Sequence, residues 1–532
     1  VIPEFEQASV DGIPVLRSAS VSGRHTVALL FRVGRFDETL PTAGITHLVE
    51  HLTLSRHHKA LYNFNATVSG RFTAFFAETG DPADVADFVA AVCGGLAADY
   101  ADGLDREKRI LRTEAASRGS AGPLGLCLNE RYGALGPGLV NYQEYGLHRV
   151  GWEEIERWRR RWFVASNAVL WVHGDLPPDL RIDLPAGPAP VQVPGAAAQQ
   201  PLELTLPGYL VTGRGGVGLS LLGNQSVVDH VALHILRERL TQVLRHERGL
   251  SYGVQVASEL IDAVRVHTWI TADALPEQTA TVAHAMLTTF ETLASAGSTG
   301  EELTEYGRRR RAFLEGPGGP PTALNRRAQK LLYGQPVVPL EQTIQQASEL
   351  GHDAVGQAAA DLLGQVIVVV PSGVPAVRGR MPQLPVWSKD TTPGTAAKSV
   401  DSDATLTLGD EGVMLTFSPD HPERRLTVRF GAVVALLRWN DGKQSLAGTD
   451  GFVLHIDPDE WPDGAALLET IGRHVDPSLV VTIDQPGPDR PGRAKRRPTP
   501  PVQAGSPAQE AQKAETGKRS GRARWFGPRS RP

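Results

Sequence analysis

Two kinds of hydrophobic spacing alternate along the chain. Solid or alternating apolar runs predict strands, and apolar positions three and four apart predict helices. VALLFRV, residues 27–33, reads as a buried strand, residues 43–54 as a helix, and NFNATVSGRFTAFFAETG, 63–80, as a hairpin. Asp81 followed by Pro82 opens a helix that runs to 97. Charged amphipathic helices follow at 104–119 and 152–163, and NAVLWVHGDLP, 167–177, is a strand closed by a Gly-Asp turn.

A Pro/Ala/Gly-rich stretch near 185–200 reads as a linker, and similar order returns beyond it. Residues 228–250 predict a long helix, SYGVQVASEL and VRVHTWITADA two strands, 276–295 and 300–316 two more helices, and QVIVVVPSGVP, 365–375, a strand. That last strand ends in a Gly-containing turn and Pro, much as the first half does, which points to an internal duplication. After a second linker, 376–400, the texture changes to short alternating strands, one helix over 461–475 and a final strand, LVVTI.

The fold class expected is α+β. Residues 1–190 and 200–375 form two tandem α/β domains, each an antiparallel-rich sheet covered by helices. Residues 401–483 form a small β-rich module whose strands-then-helix order loosely resembles a pleckstrin-homology-like fold. Residues 484–532 form a disordered basic tail.

Composition sharpens parts of this picture. The 532 residues exceed what one core can organise. No apolar run approaches the roughly 18–20 residues of a membrane span, and the opening VIPEFEQASVDGIP has neither a basic start nor an apolar signal core. Two cysteines, Cys93 and Cys127, are too few for a disulfide framework and suit a reducing compartment, so a cytoplasmic location is expected. The net charge of −5 hides an asymmetry: residues 490–532 carry 12 Lys/Arg against 2 Asp/Glu, a net of +10 that leaves −15 on the rest. A basic, Pro/Gly/Ser-rich tail cannot bury a core. Contact with nucleic acid or an anionic surface is its functional reading.

The chemistry concentrates in GITHLVEHLTL, residues 44–54. On a helix His47 and His51 are i and i+4, so both rings share one face and can reach one ion, with Glu50 beside them. A hydrolytic zinc site takes three protein ligands and a water, so one ligand is missing. Glu107 and Glu114, two turns apart on one face of the 104–119 helix, supply two candidates. One can complete the set while the other stands behind a ligand. The bare alternative is a helix with two surface histidines. His57, His58, His148 and His173 are set aside as surface or structural residues.

HLVEH followed by Glu107 and Glu114 resembles the inverted zinc motif of the M16 metallopeptidases, the insulinase and mitochondrial-processing-peptidase family. NATVS at 65–69 resembles that family's substrate-pairing edge strand. LHRVGWEEIERWRRRWFVASNAVLWVHGDLP resembles the segment closing its first domain, and LRHERGLSYGV at 244–254 a second-domain segment with an Arg and a Tyr seven apart. The resemblance spans residues 1 to about 375.

It implies one Zn2+ per chain held by His47, His51 and Glu114, Glu50 as general base, and Glu107 as the supporting carboxylate. Asn65, Ala66 and Thr67 would line the substrate strand, and Arg245 and Tyr252 would reach the scissile bond. The implied activity is a zinc metalloendopeptidase cleaving unfolded peptides inside a clamshell. Because this chain carries both the zinc motif and the Arg/Tyr pair, a homodimer is favoured over a heterodimer with another M16-like chain. The rival reading is a non-catalytic peptide-binding or structural subunit of the same fold. A third makes the β module and tail the working part.

Overall fold

The structure, a computed structural model, describes residues 5–20, 22–57, 60–118, 122–190, 204–212, 216–374, 377 and 379–488. Most of the expected first linker and the basic tail from 489 onward lie outside the described residues, as does His58.

The first half contains β1 (Glu6–Val10), β2 (Ile13–Ser18), β3 (His25–Phe31), α1 (Ile45–Leu54), β4 (Asn63–Val68), β5 (Thr73–Thr79), α2 (Pro82–Ala97), α3 (Leu104–Arg118), α4 (Gly122–Tyr132), α5 (Trp152–Trp162) and β6 (Ala168–His173). The second contains β7 (Gly208–Thr212), β8 (Val217–Asn224), α6 (Val227–Thr241), β9 (Val254–Leu260), β10 (Arg265–Ala272), α7 (Thr279–Ala296), α8 (Gly300–Glu315), α9 (Gly319–Leu332), α10 (Leu340–Ser348), α11 (His352–Gly364) and β11 (Ile367–Pro371). Asp81 caps α2 by accepting from the Ala83 amide, and Pro82 stands in its first turn.

The two halves repeat one topology. The first sheet runs β1-β2-β6-β3-β5-β4 and the second β7-β11-β8-β10-β9. Without β1, the orders match strand for strand. In each sheet one pair is parallel, β2 with β6 and β7 with β11, and the others are antiparallel. The duplication suggested by the shared strand endings is thus written in the pairing. In both sheets the inner face packs on helices, α1 and α2 in the first and α6 and α7 in the second.

The opposite faces are covered by exchange. Helix α9, from the second half, lays Leu324 and Ala328 on Leu16, Leu30, Val169 and Trp171 of the first sheet. Helix α4, from the first half, lays Cys127 on Leu210, Ile367 and Val369 of the second. Arg131 of α4 is fully buried there. Its guanidinium donates to the Ser220 carbonyl at 2.9 Å and to the Gln365 carbonyl, and Ser220 Oγ meets His267 Nε2 at 2.8 Å. Burial and the Arg131 charge push that imidazole down to about 3, so it stays neutral.

The C-terminal module has two four-stranded sheets. One is β12 (Thr395–Lys398), β13 (Thr405–Leu408), β14 (Gly412–Thr416) and β15 (Arg425–Arg429), in that order. The other is ordered β18-β17-β16-β19, with β16 (Val433–Trp439), β17 (Gln444–Gly448), β18 (Val453–Ile456), then α12 (Gly464–Arg473) and β19 (Val480–Ile483). The strand after the helix pairs parallel with β16. Of residues 376–400, expected as a linker, 379–400 are built into the fold: Gln383 bridges Tyr209, Leu384 is buried against the second sheet, and β12 is an edge of the module. The module rests on the first half, where Val434, Ala435, Leu437 and Val481 cluster with Leu40, Ala134 and Leu139.

Helix α1 begins without a side-chain cap of its own. Gly44, at φ 94°, precedes it, and Glu38 supplies the missing acceptor: its carboxylate takes the Gly44 amide at 2.8 Å and the Thr46 amide at 2.9 Å. Burial pushes this carboxyl up to about 7, against the two backbone donors.

Two expectations follow. Arg131→Ala leaves two carbonyls and a cavity inside the interlock and costs about 2–4 kcal/mol, read by urea unfolding; a change under about 0.5 kcal/mol would remove Arg131 from the account. For Glu38, the folded-state value lies above the ordinary 4.5. The folded chain therefore keeps a proton that the unfolded chain releases, and stability falls as pH rises from about 4.5 through about 7. Between pH 5 and 8.5 the metal-free protein should lose on the order of 3 kcal/mol relative to Glu38→Gln; parallel pH profiles for the two proteins would refute this.

Candidate metal centre

Helix α1 faces two environments. Ile45, Leu48, Val49 and Leu52, at i, i+3, i+4 and i+7, are buried in the first-half core. His47, Glu50 and His51 take the remaining face, with His47 and Glu50 buried and His51 half-buried. The two rings stand 5.0 Å apart between centroids and at 89° to one another. The three side chains place ligand atoms within 4.8 Å of each other, the one such group among the described residues.

Helix α3 closes the site. Leu104 and Leu111 bury its apolar side, and Glu107 is buried with them. Two turns beyond Glu107, Glu114 brings a single oxygen, Oε2, to 3.8 Å from His47 Nε2 and 3.7 Å from His51 Nε2. Glu107 Oε2 lies 3.6 Å from the other nitrogen of His51, Nδ1, and Arg106 holds its second oxygen at 2.9 Å. The two carboxylates left open by spacing are therefore distinct in place: Glu114 lies before both Nε2 atoms, and Glu107 lies behind His51. Glu50 Oε2 is 3.6 Å from His47 Nε2.

These donors fit zinc. Tetrahedral zinc with bonds of about 2.0–2.1 Å has ligand–ligand edges of about 3.3–3.4 Å. The two Nε2–Oε2 edges are only slightly wider. Burial, with the His47 charge, lowers the His51 pKa against the pull of Glu114 and Glu107. The neutral, ligating form of the imidazole is thereby favoured.

One participant carried no sequence signal. Glu144, in a polar loop without helical or strand periodicity, accepts from His47 Nδ1 at 3.0 and 3.2 Å through its two oxygens. Only the tertiary fold brings that loop to α1.

The remaining expected residues fall into two groups. Asn65, Ala66 and Thr67 lie on β4, the edge of the first sheet, paired on one side by β5. Arg245 and Tyr252 are on the second half. The Arg245 guanidinium carbon lies 5.4 Å from the Tyr252 ring centroid, the ring is 81% exposed, and the Tyr252 amide is tied to Asp273 at 3.1 Å. The structure thus joins this pair to each other. His57 bonds Tyr62 at 2.7 Å, His173 bonds Ser18 at 2.8 Å, and His148 lies beside Arg112, so each has a structural partner.

No protein-family model and no curated protein matches the sequence. Solved structures do. A protease from Helicobacter pylori superposes with a TM-score of 0.55 at 17% identity, over 70% of this chain and 100% of its own. An inactive peptidase M16 domain from Pseudomonas fluorescens gives 0.56 at 15%, over 72% and 100%. The first half of the periplasmic protease PqqL from Escherichia coli gives 0.53 at 16%, over 70% and 93%. Among the described residues no helix is long and apolar enough to cross a membrane. The chain has the M16 peptidase fold, which proteases and an inactive domain share.

Proposed function

We propose that the chain is a zinc-dependent endopeptidase acting on extended peptides. The observation that carries this reading is the single Glu114 oxygen set at nearly equal distances from His47 Nε2 and His51 Nε2. In this reading His47, His51 and Glu114 hold one zinc ion. When bound, the zinc supplies Lewis acidity, polarising the scissile carbonyl and making a water acidic near neutral pH.

The residues of the chain do the rest. Glu50, buried beside His47, takes the proton of the attacking water and returns it to the departing amine. Glu107 holds the Nδ1 side of His51. Among the described residues β4 is paired on one side only, and the Ala66 amide is bonded to the Asn65 side chain at 2.9 Å, so an extended peptide adds as a further strand along that edge by displacing this side-chain bond, with affinity from main-chain bonds and choice from side-chain contacts. Arg245 and Tyr252, a guanidinium and an exposed phenol, are donors of the type that stabilise a developing oxyanion. They act on a substrate gripped between two halves, within one chain or across a dimer.

The rival, a non-catalytic subunit, has the same fold, so the residues must decide. Purified protein should hold about one zinc per chain, and His51→Ala should lose it. Glu50→Gln should keep the zinc and lose about 10²–10⁴ in kcat on a peptide library, with cleavage by the parent abolished by a chelator. Zinc retained alongside unaltered cleavage in Glu50→Gln would remove Glu50 as the base. Zinc bound with no cleavage of any peptide by the parent would favour the non-catalytic subunit.

A further inference from the structure

Each imidazole of the pair has its own carboxylate on the nitrogen that faces away from Glu114, but the two contacts differ in kind. Glu107 stands 3.6 Å from His51 Nδ1, just beyond hydrogen-bond length. Glu144 stands 3.0 Å from His47 Nδ1, a hydrogen bond. The stronger orienting contact in the site therefore comes from the loop at 143–148 and not from α3.

That loop is held on both sides. Toward α1 the approach is so close that a Cβ on Gly44 would lie 2.8 Å from Glu144 Cβ, and one on Gly146 would lie 2.4 Å from the Thr42 carbonyl carbon. Glycine is needed at 44 also because φ is 94° there. Away from α1 the loop meets the C-terminal module: the Tyr145 ring packs edge-on against Trp439 at 5.9 Å, within the cluster that includes Val481 and Ile483. Trp439 is itself fixed by its indole N–H to Ser445 at 3.1 Å.

We propose that Glu144, held in place by the C-terminal module through Tyr145 and Trp439, is the positioning residue for His47. Its carboxylate accepts a hydrogen bond from Nδ1–H, fixes the tautomer, and leaves the Nε2 lone pair aimed at the point shared with His51 and Glu114. This gives the β module a definite part in the site: it is the outer wall of the loop that orients a ligand. The inference rests on the zinc reading of the site, and its test separates the two.

Zinc affinity of the full chain is measured by competition with a chromophoric chelator, for the parent and for Glu144→Ala, Glu144→Gln and Trp439→Ala. Glu144→Ala should bind zinc about 10–100-fold more weakly, still at one per chain. Glu144→Gln, whose amide oxygen still accepts from Nδ1 without the charge, should fall between it and the parent. Trp439→Ala should weaken binding severalfold with Glu144 intact. The metal-free variants should melt close to the metal-free parent, and in ¹⁵N-histidine spectra His47 should be Nδ1-protonated in the parent and a tautomer mixture in Glu144→Ala. A parent that binds no zinc defeats the proposed function itself. Zinc bound equally well by the parent and Glu144→Ala overturns the positioning role alone, as does a loss accounted for entirely by unfolded protein. An effect of Glu144→Ala with none in Trp439→Ala overturns the part given to the module.

Discussion

A ten-residue helix has to satisfy two environments at once, and the rest of the structure follows from that demand. The side of α1 bearing Ile45, Leu48, Val49 and Leu52 must be dry and tightly packed, while the side bearing His47, Glu50 and His51 must gather polar atoms at close quarters. Imidazoles and carboxylates buried without partners would be costly. The segments that face the polar side of α1 therefore bring partners: Glu38 at its amino end, Glu107 and Glu114 from α3, and Glu144 from the loop before α5.

The duplicated halves show how strongly the facing helix decides. Helix α6 also carries a histidine pair at i and i+4, His230 and His234, and both rings meet Tyr306 of α8, at 6.0 and 5.1 Å. Burial, with arginine charges next, pushes the two down to about 3 and about 4. Arg310 of α8 and Arg326 of α9 act on His230, where α3 sets one carboxylate on each side of His51. The same backbone and the same histidine spacing thus serve opposite electrostatics. Proteases and an inactive domain share this fold, so the fold by itself does not dictate the chemistry of the site.

This contrast also marks where sequence was informative. Strands such as β3 and helices such as α2 and α8 could be read from periodicity and caps, because those signals are local. The spacing of His47 and His51 placed both rings on one face, and the spacing of Glu107 and Glu114 offered two carboxylates without saying which would come forward. That depended on the register of α3 against α1. Spacing was equally silent about why His230 and His234 differ. Glu144 could not be found at all, since its loop has no period and its partner is 97 residues away. The exchanged helices α4 and α9 were missed for the same kind of reason: their apolar faces are explained only by a sheet from the other half.

That exchange bears on how the chain can be made. The outer face of the first sheet, with Leu16, Leu30 and Trp171, stays bare until residues 319–332 have been synthesised. At the usual pace of translation the wait between Trp171 and α9 is roughly ten to thirty seconds. During that time the nascent first half offers a wide greasy surface to whatever meets it at the ribosome exit, so a holding chaperone would find its natural target there.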